Sequence, residues 1–497
     1  MTNPDTAVTS PWQGELASDR PYSLLIDGRF AAAEDGQTFA CEYPFTGESW
    51  GAAPQATAND VERAVQAAHR AFEGGWGRTR PGERATLLRK LADLLVRDAD
   101  TLGLLQVHEN GKLLSDLRFT GQGMAGLAHY MAGLAETTVG HSSTSNVADT
   151  TSYSVREPIG VVAAITPWNS PLMLLGWKLF PALAAGNTIV IKPSEVTPFS
   201  TLRIGELCME AGIPEGVVNI VTGGGATGAA LVNHPLVDKI AFTGATSTGQ
   251  AIGKVAAGRS ARVSLELGGK SPNIIFEDAD LDRAIDGIIA GIFSASGQSC
   301  ISGSRILVQA SIGADFFAEL ARRVNALRLG DPLDSASEIA PLASRAHLAK
   351  VVSYLDVAKG EGATALAGGE RPSDPALANG FFVRPTLFTG ITNENRIARE
   401  EVFGPIGAVI RFTDEEDAIR IANDTDFGLA AAVWTESVRR AHRIVPRLRA
   451  GTIWVNQYRS GEFARPFGGY KQSGVGRELG TDALHAYTEE KSIFIAH

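Results

Sequence analysis

The sequence predicts an α/β protein built on mostly parallel sheet. Three observations carry that prediction. Helical and strand patterns alternate through most of the chain, short apolar runs of strand length recur from residue 160 onward, and those runs end in loops containing glycine or proline. At 497 residues the chain has room for two or three domains of about 150 residues. With 44% hydrophobic and 20% charged residues its composition is ordinary for a globular protein, which excludes disordered, collagen-like and disulfide-scaffold chains. Lys plus Arg number 45 and Asp plus Glu 55, a net charge of −10 with no basic block, so nucleic acid is not an expected partner.

The first elements are helical. Residues 57–76 read as an amphipathic helix: Thr57 and Asp60 form a capping-box-like start, and Val61, Val65, Ala68 and Phe72 keep helical spacing. Residues 84–105 predict one further helix, with Leu87, Leu88, Leu91, Leu94 and Leu95 on it. Buried strands follow at GVVAAI (160–165), TIVI (188–191), VVNIV (217–221) and KIAF (239–242), with a helix over 198–212 between the second and third. A second α/β stretch begins after Gly268 and Gly269: NIIF (273–276), RILV (305–308), a helix over 314–327 and TIWV (452–455). Two short segments, 153–156 and 492–495, fall outside this pattern and either pair across chains or cover their own core.

The apolar-rich region 158–193 is interrupted by Pro167, Asn169, Pro171, Lys178 and Pro181, so no membrane span is expected there. Residues 1–20 lack the apolar run of a secretory leader. The three cysteines, Cys41, Cys208 and Cys300, fit no metal motif and no closed disulfide set. A cytoplasmic protein with reduced thiols and no metal is the expectation.

Four groups of residues carry chemistry. GGGATG at 223–228 matches G-x-G-x-x-G after a strand and opens a helix near Ala229. It lacks an acid about 20 residues on, since Asp238 and Glu266 lie 10 and 38 residues beyond it. A second strand–glycine–helix unit, GATSTG at 244–249, could present its helix N-terminus to a diphosphate. Both loops could also be plain tight turns. Lys192 and Glu195 stand in KPSE at a strand's carboxyl end, where they either bind ribose hydroxyls or belong to a solvated loop. Cys300, in SASGQSCISGS, sits among small polar residues where a nucleophile gains access, whereas Cys41 and Cys208 read as buried small hydrophobes. Glu266 lies between two leucines, so it is either a base of raised pKa or an exposed strand-end carboxylate.

TPWN (166–169), WKLFPALAAGN (177–187), KPSE (192–195), FTG (242–244), LELGGKSPN (265–273), GQSC (297–300), EEVFGP (400–405) and PFGGYKQSGVGRELG (466–480) stand in that order. From about residue 25 to its end the chain thereby resembles the NAD(P)-dependent aldehyde dehydrogenase superfamily, in its hydrolytic, non-CoA-acylating type. The resemblance implies a Rossmann-like NAD-binding domain (1–140 and 159–268), an α/β catalytic domain (269–470) and a small β oligomerisation element (141–158 and 483–497) that joins a homodimer or homotetramer. It implies oxidation of an aldehyde to a carboxylic acid. Cys300 is then the nucleophile, with its thiolate favoured, and forms a thiohemiacetal and, after hydride transfer, a thioester. Asn169 and the Cys300 N–H hold the oxyanion. Glu266 activates water, and Lys178 with Glu478 is a charged pair near it.

For the cofactor, the resemblance assigns Lys192 and Glu195 to the adenosine ribose. The Glu195 carboxylate repels a 2′-phosphate, so NAD is expected, with NADP the alternative. Glu401 would hold the nicotinamide ribose and Phe403 would pack near the nicotinamide. Trp168 and the 244–249 loop would approach the diphosphate, and Gly225 the adenine. Ile165, Thr166, Pro167, Ser194 and Gly228 complete the expected cofactor contacts on the early strands. Phe242, Thr243, Gly244, Ala245, Thr248, Leu267 and Gly268 complete them on the later ones. Ala245 departs from the serine usual there and removes one diphosphate hydrogen bond, worth about 1 kcal/mol.

By the same resemblance Met173, Leu174, Trp177, Ser294, Ser299, Ile301, Arg459 and Phe467 line the aldehyde tunnel. Ser170, where an aromatic residue is common, is expected to widen its mouth. Arg459 either clamps the carboxylate of a semialdehyde or forms a surface salt bridge with Glu462 or another acid. CoA acylation is the rival reaction, and Glu266 argues against it. A non-catalytic NAD-binding protein is the rival from another class, and the full set of catalytic residues argues against that.

Overall fold

The structure is a computed structural model that describes residues 22–497. The expectation about residues 1–20 lies outside the described residues. An eight-stranded sheet runs in the order Gly474–Val475, Arg262–Glu266, Lys239–Thr243, Val161–Ile165, Thr188–Lys192, Val218–Ile220, Leu24–Ile26, Arg29–Ala31. Its five central strands are parallel. Their apolar runs are continuous rather than alternating because helices cover both faces. From Val161–Ile165 the chain steps outward through Thr188–Lys192 and Val218–Ile220, then returns to the other side at Lys239–Thr243. That reversal beside Val161–Ile165 is a topological switch point, where a crevice opens at the strands' carboxyl ends.

A second sheet of seven strands runs Thr364–Ala367, Thr386–Thr389, Ile406–Phe412, Arg305–Gln309, Pro272–Ile275, Ala430–Trp434, Thr452–Val455, parallel except at its first strand. The chain enters three of these strands from the segments 267–271, 297–304 and 400–405, which come together around a small cavity of their own lined by Gly269, Ser299 and Glu401. The segments 153–156 and 492–495 belong to a third, three-stranded sheet, in which Thr150–Pro158 pairs antiparallel with Thr488–Ala496. Phe494 and Ile495 are exposed on it. Among the described residues no helix is long and apolar enough to cross a membrane.

Two helices differ from the sequence expectation. The first spans Ala58–Glu73 with Thr57 as its N-cap and a complete capping box, but Trp76 falls in a separate short turn, where its Nε1 donates to Asn187 O at 2.8 Å. The leucine-rich stretch is two helices, Pro81–Arg97 and Ala99–Asn110. Asp98 breaks it at φ −94°, ψ 11°, because its carboxylate is held by Arg97 at 2.7 Å and by Arg203. The third helix, Phe199–Glu210, lies inside the expected range.

Asn187 joins the first sheet to the chain's end. Buried completely, its Oδ1 accepts from Gly160 N–H at 2.9 Å and its Nδ2 donates to Tyr487 O at 2.8 Å. Asn187→Ala leaves a buried N–H and a buried carbonyl unsatisfied and should cost about 3 kcal/mol. Denaturant titration checks this, and an unchanged midpoint would show that the two groups find other partners.

Candidate active site

The crevice at the switch point encloses about 510 Å³, the size of a small-molecule site. The end of Val161–Ile165 contributes Ile165, Thr166, Pro167 and Trp168 to its wall. Thr188–Lys192 ends in Lys192, Ser194 and Glu195 there. Lys239–Thr243 brings Phe242, Thr243, Gly244 and Ala245, and the helix that follows brings Thr248. Gly225 and Gly228 line it too. Lys192 Nζ lies 3.5 Å from Glu195 Oε2, and burial presses the ammonium below its ordinary pKa while Glu195 opposes the shift. Ala245 precedes the helix Thr246–Gly258 and makes no side-chain cap, so the first N–H groups of that helix are left for an anion.

The 223–228 fingerprint sits differently from its sequence reading. The helix opens at Gly225, not near Ala229. Gly223 has φ +148°, and a Cβ there would meet Thr227 Oγ1 at 2.3 Å. Thr227 in turn donates to Ala56 O at 2.9 Å, so this tight turn packs against the preceding chain while only its far side reaches the crevice. Sequence reasoning missed the outward faces of the two flanking helices, Val232 and Asn233 on one and Ala251 and Val255 on the other. Their periodicity told only that they were helical.

Leu267, Gly268, Glu401 and Phe403 lie outside that wall. Leu267 donates its N–H to Ser473 O at 2.9 Å and packs on Gly249. Glu401 Oε1 accepts from Gly269 N–H at 2.8 Å, and a Cβ on Gly268 would stand 2.5 Å from its Oε2. Phe403 has φ 62° and stacks edge-on against Trp168 with centroids 5.3 Å apart. His347, which no sequence pattern marked, donates from Nε2 to Phe403 O at 2.7 Å and packs on Trp168 at 4.9 Å. Burial pushes its pKa to about 4, so the ring is neutral. These rings close the crevice between the two sheets.

Cys300 lies in the segment between the helix Leu281–Phe293 and the strand Arg305–Gln309. Ala295 and Ser296 take positive φ, and Ser296 Oγ anchors to Ala340 O at 2.6 Å. Gln298 Oε1 accepts from Ala343 N–H at 2.8 Å, so the loop is fixed from both sides. Asn169 is buried and its Nδ2 donates to Gln298 O at 2.9 Å, which puts the amide beside the cysteine segment. Burial, then the charges of Glu401 and Glu266, push the Cys300 thiol up to about 12, while Arg459 and the Ile301 N–H oppose this. The resting site therefore favours the thiol, where a thiolate was expected. Cys41 and Cys208 are buried free thiols as read from the sequence, the second also pushed up to about 12 by burial.

Glu266 is 4% exposed at the end of its strand, with Oε2 lacking any partner. Burial raises its pKa well above the usual carboxylate range, Glu478 raises it further, and Lys178 and Arg477 work against them. Lys178 and Glu478 are both buried and meet at 2.7 Å, and Lys178 also donates to Thr243 Oγ1 at 2.6 Å.

Trp177 and Phe467 meet edge to face with centroids 5.0 Å apart, and Leu174 O accepts from Lys178 Nζ at 3.5 Å. Met173 lies against Gly123. Ile301 O accepts from Tyr458 Oη at 2.9 Å. Arg459 Nη2 donates to Ser299 Oγ at 3.3 Å. The alternative of a surface pair with Glu462 does not occur: Glu462 stands 3.6 Å from Arg465 instead. The space expected beside Ser170 is reached by Lys112, whose Nζ donates to Ser170 Oγ at 2.9 Å. Lys112 gave no sequence signal, being a lone lysine in a loop.

A family model described as the aldehyde dehydrogenase family matches residues 30–493. A betaine aldehyde dehydrogenase of Bacillus subtilis is 44% identical over 474 residues, 95% of this chain and 97% of that one. An aldehyde dehydrogenase of Aspergillus niger is 44% identical over 495 residues, 99% of this chain and 98% of that one. A crystal structure of betaine aldehyde dehydrogenase from Staphylococcus aureus in complex with NAD+ superimposes with a TM-score of 0.96 at 40% identity, covering 98% of this chain and 97% of that one. With this match along the chain and the same fold, the protein is a member of the aldehyde dehydrogenase family.

Proposed function

We propose that this chain oxidises a small aldehyde to its carboxylic acid with NAD, through a thioester on Cys300. The observation that carries the reading is the meeting, beside a nucleotide-sized crevice, of the cysteine segment, the Asn169 amide and a buried base. The crevice fits a dinucleotide: an acid–lysine pair at one strand end, uncapped helix N–H groups at the next, and aromatic rings at the far side. Lys192 and Glu195 would hold the adenosine ribose, the Thr246–Gly258 N-terminus the diphosphate and Glu401 the second ribose. When bound, NAD supplies the hydride acceptor.

The protein's own groups do the rest. Burial raises the pKa of both groups, so Glu266, once ionised, is a strong enough base to take the thiol proton as sulfur attacks the aldehyde carbon. The oxyanion of the thiohemiacetal forms beside Asn169 Nδ2 and the Cys300 N–H, donors already in place before charge develops. Glu266 then passes the thiol proton to solvent; after oxidation it takes a proton from water, the water oxygen attacks the thioester carbon, and the C–S bond breaks to release the acid and the Cys300 thiolate, which recovers that proton from Glu266. Lys178 and Glu478 adjust the proton affinity of Glu266 from opposite directions. The presence of this base favours hydrolysis over transfer to coenzyme A.

A division into a cofactor unit (1–140, 159–268), a catalytic unit (269–470) and a bridging element (141–158, 483–497) is supported by the three larger sheets, although Gly474–Val475 joins the first sheet from outside those bounds. The exposed Phe494 and Ile495 suit a homodimer or homotetramer built through the third sheet.

Reduced-nicotinamide appearance with NAD, without coenzyme A, tests the reading, and Cys300→Ala should abolish it. Turnover only with coenzyme A would overturn it. Glu266→Gln should lower turnover by about 10²–10⁴-fold. Because the base works deprotonated and its pKa is raised, wild-type kcat/KM should fall with falling pH well above the ordinary carboxylate range, and this limb should vanish in Glu266→Gln. Glu195→Gln should shrink the preference for NAD over NADP by about tenfold, measured as a ratio of kcat/KM values.

A further inference from the structure

Ser299 adjoins the candidate nucleophile and Ser170 adjoins the candidate oxyanion donor, and each carries a cation. Arg459 Nη2 reaches Ser299 Oγ at 3.3 Å and Lys112 Nζ reaches Ser170 Oγ at 2.9 Å. The two cations and Cys300 feel one another's charge. Among the described residues neither cation has an ion-pair partner. Glu462 is taken by Arg465, and Asp116, the nearest acid to act on both, is exposed and bonded to neither. Arg459 Nη1 is sealed from solvent and has no hydrogen-bond partner. A guanidinium N–H kept dry without an acceptor is unfavourable, and an anion from outside would relieve it.

The arginine is also held in place. Its φ is 68°, a left-handed conformation rare for a side-chain-bearing residue, and its neighbours enforce it: Tyr458 Oη donates to Ile301 O at 2.9 Å and Trp454 Nε1 to Ser460 O at 2.8 Å. A fixed planar donor fork suits a carboxylate. Activation of Cys300 does not account for it, because the thiol remains near 12 with Arg459 present.

We propose that the substrate is an anionic aldehyde, one bearing a carboxylate at the end remote from the carbonyl, and that Arg459 and Lys112 bind that carboxylate. The proposal rests on the oxidation proposed above and names its substrate class. It separates this chain from the relatives named for betaine aldehyde, whose quaternary ammonium would meet two positive charges. The edge-to-face pair Trp177 and Phe467 could attract such a cation, but one aromatic pair does not outweigh the permanent charge of Arg459 reinforced by Lys112.

The test compares kcat/KM with NAD for succinic semialdehyde, butanal of the same chain length, and betaine aldehyde. The semialdehyde should exceed butanal by about 10- to 100-fold, mostly through KM, and betaine aldehyde should be slowest. Arg459→Gln should erase most of that ratio, Lys112→Gln part of it, and Arg459→Lys should restore part. Turnover of butanal or betaine aldehyde as good as that of the semialdehyde overturns the anionic substrate and leaves the oxidation standing. An equal loss on all three aldehydes in Arg459→Gln does the same. Absence of turnover with every aldehyde overturns both. A binding measurement does not depend on catalysis: succinate, and not butyrate, should protect Cys300 of the wild type from alkylation, and Arg459→Gln should lose that protection while retaining the wild-type circular dichroism spectrum. Equal protection by both acids would also overturn it.

Discussion

Lys178 and Glu478 meet at 2.7 Å with almost no contact with solvent, and the working parts of the molecule are arranged around that pair. A buried ion pair is costly unless its remaining donors and acceptors are met. Here the ammonium also donates to Thr243 at the end of a central strand and to Leu174 one helical turn back. Three distant parts of the chain, the helix Pro171–Ala185, the strand Lys239–Thr243 and the segment after residue 470, are thereby held to one point. Burial raises the proton affinity of Glu266 and the same two charges adjust it in opposite directions, so the contact that locks the C-terminal segment also tunes the candidate base.

The site is assembled between two sheets rather than within one. Strands of the first sheet deliver Trp168, Glu195, Thr243 and Glu266 at their carboxyl ends. Segments entering the second sheet deliver Cys300 and Glu401. Contacts across the gap are polar or aromatic: Glu401 to Gly269 N–H, Asn169 to Gln298 O, Phe403 and His347 to Trp168. Close approach of backbone makes this possible. A Cβ on Gly269 would lie 2.3 Å from Cys300 O, so only glycine lets the two segments pass. Loss of one such contact would displace groups whose reaction depends on sub-ångström alignment.

Protonation links the steps. Glu266 is buried and Cys300 partly so, which penalises charge on each, and the Glu266 charge adds to the penalty on a Cys300 thiolate. The nearby Arg459 opposes the shift without reversing it, which leaves its charge available to something other than sulfur.

By itself the sequence determined the parallel α/β class, the positions of the central strands along the chain, the isolation of Cys300 from the two core cysteines, and, through ordered motifs, the family. Those features are local: continuous apolar runs, glycines at strand ends and small residues around one thiol are written in neighbouring positions. Tertiary structure alone decided the rest. The leucine periodicity of 84–105 could not foresee the break at Asp98, because Arg203, 105 residues away, supplies half of its ion-pair partners. The literal fingerprint at 223–228 was the better match to a pattern, yet its first turn packs against Ala56, since a glycine motif records permitted backbone shapes and not what they face. Lys112 and Arg459 lie on loops with no period to reveal them. They come to flank Cys300 only because sheet packing brings residues 58 and 160 positions apart within hydrogen-bonding distance. Charge complementarity across such separations is a property of the packed molecule, not of any stretch of its chain.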